Sequence, residues 1–550
     1  MLPQPWNTRS WESIAKKAQD YRDATIALIE PPLPDIEVLP LDSTPILKTI
    51  LTPKELSITE SDPANLVSQL SCGTLSAVQV TKAFLRRAGL AQKLVNCVTE
   101  LLPTAAIERA TFLDDYLKTN GKPIGPLHGL PISVKEHIEI EGLSCNAGFI
   151  AWNDRVPKAN AHILDVLLAA GAVLYVRTTQ PQTLMHLETS SNYYGVTVNP
   201  FNRNLSSGGS SGGEGALVGI RGSCLGIGTD IGGSIRSPAA NNGVYGLRPT
   251  SYRLPMEGLS ATMLGQEQIV PVIGPISTSL EGVKLFMKTL INAKPWIREP
   301  SLLPFPWRTE SLLPTDPDGT KTLKIAIIWD DGVVRPHPPV TRALRTVAEK
   351  LKAVPGITVI DWEPYQHDYA WTIISSLYFC DGGSEEKAAI SSSGEPWRPL
   401  SKFILTENQN VKKLSVTELW RWTEKRDGYR KEYANKWGDV DVILCPVGPG
   451  AAPLIDTARY WGYTSQWNLL DYPALVAPVT RVDPAVDGVE TKYVPRNEKD
   501  AYNYDLYTPE KYAGAPVSLQ WVGRRYDDEK IIEAVDYIKE KIGMPFAEFV

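Results

Sequence analysis

Glycine most limits how this chain can fold, because it is concentrated in one segment. Residues Ser206–Thr250 read SSGGSSGGEGALVGIRGSCLGIGTDIGGSIRSPAANNGVYGLRPT, far denser in glycine than the rest of the 550 residues. Ordering a glycine loses more backbone entropy than ordering any other residue. The segment must therefore need what glycine alone supplies, namely positive φ or close approach of another group to the main chain. Serines set among such turns are well placed to be exposed and reactive.

Around this segment the pattern is that of alternating strands and helices. Leu130–Val134 and Ala172–Val176 are short apolar runs, and Leu323–Trp329 repeats the theme, with a helix from about Pro339 to Val354 and a strand near Ile357–Ile360. The alternation predicts an α/β fold with a large, mixed or mostly parallel twisted sheet flanked by helices. At the start, Trp11, Ile14, Ala18, Tyr21, Thr25 and Leu28 fall at helical spacing until Pro31-Pro32 stops them. Helices are expected again from Asp62-Pro63 to near Gly73, and from Ser76 through Phe84 to about Leu94. The expected organisation is an N-terminal helical arm with an extended, proline-dotted connection over 1–60, then a single domain over 61–550. The arm is read first as packing, with a homodimer contact as the alternative. Lys294–Lys321, rich in proline and polar residues, reads as a long surface connection.

Composition narrows the partners. A net charge of −6 leaves no basic stripe for a nucleic-acid backbone or an anionic membrane surface. The six cysteines are scattered without the spacing of a zinc knuckle or a disulfide framework, so they read as reduced thiols. The first twenty residues are too charged for a secretory signal, and the longest apolar run, Val166–Val176, is short of the roughly 18 residues a spanning helix needs. A cytoplasmic protein with a small, neutral ligand and no metal or organic cofactor is the expectation.

Several chemistries can be weighed against the glycine segment. A Walker loop requires a lysine, and Ser206–Thr250 contains none. Gly226-Ile227-Gly228 opens like a dinucleotide fingerprint, but the third glycine comes one residue late, at Gly232. Gly208-Gly209-Ser210-Ser211-Gly212 satisfies the G-x-S-x-G elbow, yet the preceding VNPFNRNLSS is too polar and proline-broken for the core strand an elbow needs. His337 and His367, which could serve such an elbow as base, lie in stretches that read as surface. In Thr229-Asp230-Ile231-Gly232-Gly233-Ser234, successive backbone N–H groups from Ile231 to Ser234 can converge on one point and hold an oxyanion. Ser234 is thus the best-supported nucleophile, against the plainer reading of a tightly packed turn. It needs a base, and none of the six histidines is paired with a serine in a motif. Lys135 closes the apolar run Leu130–Val134 and could be held neutral by burial, although a lysine at a strand end is commonly just solvated.

Taken together these residues resemble the amidase signature family. The match covers Gly208–Gly213 and Gly226–Arg236, then Pro238 and Gly243–Pro249, with support from Gly125–Lys135, Pro181–Met185, the strand end at Pro446 and Gly514–Arg525. Within that family the chain is most similar to fungal acetamidase-type amidases. The resemblance implies hydrolysis of carboxylic amides by a Ser, cis-Ser, Lys triad. Ser234 would attack, Ser210 would relay the proton across a cis Gly209–Ser210 peptide, and Lys135 would accept it. It also implies oxyanion donors at Ile231, Gly232, Gly233 and Ser234, a pocket contact at Met185, and supporting positions at Ser211, Thr229, Asp230 and Arg236.

Asn241-Asn242, Arg248 and Glu136 depart from the common family pattern, and the two asparagines leave the substrate open. Trp461, Tyr463 and Trp467 are candidates for a pocket wall, with ordinary aromatic core as the alternative. The competing functions are an amidotransferase glutaminase subunit, a hydrolase of longer fatty acyl or aryl amides, and a non-catalytic binding scaffold.

Overall fold

Eleven short runs of β-branched and aliphatic residues pair into one sheet in the computed structural model, which describes residues 10–549. In chain order the strands are β1 (Val98–Leu101), β2 (Pro131–Lys135), β3 (Val173–Thr178), β4 (Ser190–Ser191), β5 (Gly195–Val196), β6 (Leu225–Asp230), β7 (Tyr245–Arg248), β8 (Val272–Ser277), β9 (Leu323–Ile327), β10 (Ile357–Asp361), β11 (Val442–Pro446), β12 (Ala474–Arg481) and β13 (Pro516–Val522). β4 and β5 form a separate ribbon, and the large sheet has the order β1-β3-β2-β6-β8-β7-β12-β13-β11-β9-β10.

The sheet is mixed. Its parallel pairs form two blocks, β3-β2-β6 and β11-β9-β10, while every pair from β6 through β8, β7, β12 and β13 to β11 is antiparallel. The parallel blocks hold the stretches where the sequence alternates strand with helix, since a parallel crossover needs a helix-length return.

Alternation along the strands divides two cores. Ile325, Ile327, Val442 and Leu444 enter the main core, where the helices Ala77–Val95, Leu280–Asn292, Pro338–Lys352 and Asp528–Ile542 pack. Ala326, Ile443 and Cys445 face a second, aromatic core under the helices His367–Tyr378, Val416–Trp437 and Gly462–Leu470. There Trp467 meets Tyr433 edge-on at 6.1 Å, and Trp437 meets Tyr472 edge-on at 5.1 Å.

The expected opening helix spans Trp11–Ala27, capped by Ser10, and Thr25 Oγ1 accepts from the Leu101 amide of β1 at 3.0 Å. Asp62 and Ser76 cap the next two expected helices, Pro63–Ser71 and Ala77–Val95. The connection from the opening helix to Pro63, expected to be extended, holds the helices Ile46–Ile50 and Pro53–Thr59. The second begins with a capping box in which the Glu55 amide donates to Thr52 Oγ1 and the Thr52 amide donates to Glu55 Oε2, at 3.3 and 2.7 Å. Among the described residues no helix is long and apolar enough to cross a membrane.

Candidate active site

β2 and β6 are parallel neighbours, so both end at the same edge of the sheet, with Lys135 closing one and Thr229-Asp230 the other. Lys135 is fully buried, and its Nζ donates to Ser210 Oγ at 2.7 Å and to Thr229 Oγ1 at 3.0 Å. Burial drives its amine down from 10.5 to about 7, while the charges of Asp230 and Glu214 pull weakly the other way. A change of that size corresponds to about 5 kcal/mol between the two protonation states. Behind the strand, burial lifts the Glu214 carboxyl to about 7, opposed by hydrogen bonds from Ser133 Oγ at 2.5 Å and Thr178 Oγ1 at 2.7 Å.

Ser210 lies on the turn before the helix Gly212–Gly219, and the Gly209–Ser210 peptide is cis. A Cβ on Gly209 would lie 2.3 Å from the Glu188 carbonyl oxygen, so only glycine lets the two backbones approach. Ser211 ties this turn to β6 and its loop. Its amide donates to the Ser234 carbonyl at 3.1 Å, and its hydroxyl bonds both the Thr229 carbonyl and amide at 3.3 and 3.2 Å. Residues Val198–Ser207 make two isolated bridges, Val198 with Ser206 and Leu205 with Leu454, not the core strand an elbow needs.

The loop after β6 is shaped from beneath by Asp230. Its carboxylate accepts from the amides of Gly233 and Ile235 at 2.9 and 3.1 Å, from Arg236 Nε and Nη2 at 3.1 and 3.0 Å, and from Asn468 Nδ2 at 2.8 Å. Burial works to raise this carboxyl, but Arg236 and the hydrogen bonds outweigh it and hold it at about 2. The loop carbonyls turn to partners outside the loop. Ile231 accepts from Tyr378 Oη at 2.9 Å, Gly232 from Thr464 Oγ1 at 2.6 Å and Gly233 from the Ser237 amide at 2.7 Å. The amides of Ile231, Gly232 and Ser234 find no acceptor among the described residues. That of Gly233, expected to join them, is committed to Asp230, and Gly233 instead supplies the φ of +129° that bends the loop.

Ser210, Thr229, Ile231 and Ser234 line one cavity of about 350 Å³, together with His137 and Met185. The rest of its wall is largely apolar and comes mainly from Leu184 and from the connection between β7 and β8, through Met256, Leu259, Met263, Leu264 and Val270, with Thr183, Ser301 and Leu302 beside them. This connection carries no regular periodicity, and nothing in the sequence marks it as a wall. Trp461, Tyr463 and Trp467 are not part of it; they belong to the aromatic packing, and the Trp461 ring sits 2.8 Å from where a Cβ of Gly232 would be.

His337 and His367 are buried, against the surface position expected for them, and neither reaches the cavity. His337 Nε2 bonds the Asn503 carbonyl at 2.8 Å, and His367 packs against Tyr433 and Trp467. Asn242 binds the helix Arg236–Asn241 to the Ser210 turn, donating to the Ser207 carbonyl at 2.8 Å and the Pro238 carbonyl at 2.7 Å. Arg248 pairs with Asp471 at 2.7 Å, and Glu136 accepts from the Asn146 amide, also at 2.7 Å. Among the described residues, His162, Glu257 and Glu299 gather ligand-type atoms within 4.8 Å of one another. They lie outside the cavity, where Glu299 anchors the Met256 amide at 2.8 Å.

Comparison with known proteins identifies the family. The Amidase family model matches residues 79–532. A candidate amidase of Schizosaccharomyces pombe is 47% identical over 539 residues, covering 96% of this chain and 99% of its own. The acetamidase of Emericella nidulans is 41% identical, covering 97% and 99%. The solved structure of a fatty acid amide hydrolase superposes with a TM-score of 0.92 at 37% identity, over 99% of this chain and 98% of that one. With its family match spanning most of its length and its fold superposing on that of the fatty acid amide hydrolase, this chain belongs to the amidase family and hydrolyses carboxylic amides.

Proposed function

We propose that Ser234 is the nucleophile, Ser210 the proton relay and Lys135 the base. The observation that carries this is Lys135 Nζ, sealed from solvent and 2.7 Å from the Oγ of Ser210, which lines the same cavity as Ser234. Neutral Lys135 takes the Ser210 proton while Ser210 takes that of Ser234, and Ser234 Oγ adds to the amide carbonyl carbon. The oxyanion that forms lies against the unpartnered amides of Ile231, Gly232 and Ser234, each such donor being worth about 10²–10³ in rate. The proton returns through Ser210 to the departing nitrogen as the C–N bond breaks. Water then takes the same route in reverse to hydrolyse the acyl-enzyme.

The substrate is an amide of an apolar acyl group larger than acetyl. Acetamidases and a fatty acid amide hydrolase both stand among the relatives. A cavity of about 350 Å³ walled by Met185, Met256, Leu259 and Met263 far exceeds what an acetyl group fills. Each further methylene buried there is worth about 0.8 kcal/mol. The free state of all six cysteines favours a reducing compartment such as the cytoplasm. A homodimer through the helical arm would use its exposed Tyr21 and Leu28.

Alkyl fluorophosphonates of increasing chain length test both parts, with the adduct located by mass spectrometry. The adduct is expected on Ser234, to vanish in Ser234→Ala, and to form about three- to fourfold faster per added methylene until the cavity is filled. An adduct on Ser210 would replace the nucleophile assigned here. A rate that falls from the shortest chain onward would return the substrate to acetamide itself.

A further inference from the structure

The proton transfer just described has a geometric requirement, because the Lys135 lone pair must face Ser210. A neutral lysine amine has two N–H groups and one lone pair, and any other hydroxyl that donates to that lone pair removes the base. Thr229 Oγ1, 3.0 Å from Nζ, is such a hydroxyl.

His137 decides where the Thr229 proton goes. It lies two residues beyond Lys135, is 3% exposed and lines the cavity. Its Nδ1 is 3.1 Å from the Ser260 carbonyl oxygen, which can only accept, so Nδ1 carries a hydrogen. Burial, and then the neighbouring Lys135, keep the ring neutral by holding its pKa well below the usual histidine value. Nε2 is therefore a bare acceptor, and it lies 2.9 Å from Thr229 Oγ1. Ser211 meets Thr229 only at its backbone, so it does not compete for this hydroxyl. The Ser260 amide donates to the His137 carbonyl at 2.9 Å, which clamps the histidine to the β7–β8 connection from both sides.

We propose that His137 is a positioning residue for the base: it accepts the Thr229 hydroxyl proton, so that Thr229 can only accept from Lys135 and the lysine lone pair is kept for Ser210. The inference rests on Lys135 being the base. It ties the wall of the substrate cavity, through Ser260, to the orientation of the amine.

The test compares kcat and KM on a primary amide for His137→Leu, His137→Gln and Lys135→Ala, with Thr229→Val placed in both the wild-type and the His137→Leu chains. Leucine offers Thr229 no acceptor, and kcat is expected to fall about tenfold or more with KM within about twofold. Glutamine keeps an oxygen for Thr229, and kcat is expected to stay within about threefold of wild type. Thr229→Val should lower kcat in the wild-type chain, yet raise it in His137→Leu, where it removes the competing donor; a merely structural role gives no such reversal of sign. Equal impairment of His137→Leu and His137→Gln would overturn the inference, as would an unimpaired His137→Leu or a loss from Thr229→Val in both chains. If Lys135→Ala is inactive in any of these cases, the base assignment stands alone. A fully active Lys135→Ala removes the base assignment itself.

Discussion

A lysine with no exposure and no carboxylate in contact is an expensive residue to fold around, and Lys135, the base proposed here, is such a residue. Its amine falls from 10.5 to about 7, with burial as the chief cause. Between those values the unfolded chain holds the proton and the folded chain does not, so stability rises with pH across the window. Below about 7 both states are protonated and the full penalty of the buried charge is present. Lys135→Met, similar in length and uncharged, is expected to abolish turnover yet raise the unfolding free energy, by ~1–3 kcal/mol near pH 6.5 and far less near pH 10. Urea denaturation at the two pH values checks this; an equal loss at both would show that the amine is not strained. The proposed places of Ser234 and Lys135 could be read from local patterns, a glycine-set serine and a strand-end lysine, whereas that of Ser210 came from the family resemblance. Thr229 was named as a supporting position, but its proposed coupling to His137 could not be read, because a hydrogen bond between residues about ninety apart leaves no trace in spacing.

Among the elements, the loop from Asp230 to Arg236 concentrates the most constraint. Gly233 has a φ of +129°, and a Cβ there would meet Thr464 Oγ1 at 2.4 Å, so Gly233→Ala must move the loop that carries the unpartnered amides of Ile231, Gly232 and Ser234. Turnover is expected to drop about 10²-fold or more, the size of losing an oxyanion donor. Gly428→Ala is the control, since that glycine lies inside the helix Val416–Trp437 with open space at its Cβ, and it is expected to stabilise by ~0.5–1 kcal/mol. Rates and thermal unfolding of the two variants decide the matter; a Gly233→Ala enzyme of wild-type rate would remove the loop from the chemistry. The strands near Leu130, Val173, Leu323 and Ile357 were legible from short apolar runs. The helix after Thr52 was missed: its T-P-K-E capping box lies in proline-rich surroundings that read as an extended connection. The β7–β8 connection could not be read as a wall, because an irregular segment gains its shape only from what it packs against.

At the scale of the whole molecule, the mixed sheet does two things for the site. Its parallel block β3-β2-β6 brings Lys135 and Thr229 to one edge, and its second, aromatic core supports the Ile231–Gly233 loop from behind through Tyr378, Trp461 and Thr464. The alternation of strands and helices pointed to the parallel blocks. The antiparallel centre stayed hidden, since β7 and β8 are joined by a long irregular segment and β8, β12 and β13 lie far apart in the chain, which leaves their pairing to tertiary packing. All of this architecture converges on one physical condition, an amine that is uncharged near neutral pH. The most direct measurement is an NMR titration of lysine side chains labelled with carbon-13 at Cε, the Lys135 signal being assigned by its absence from Lys135→Met. It is expected to titrate near pH 7, more than three units below an ordinary lysine. A Lys135 signal that stays protonated up to about pH 10, as an exposed lysine does, would contradict the mechanism.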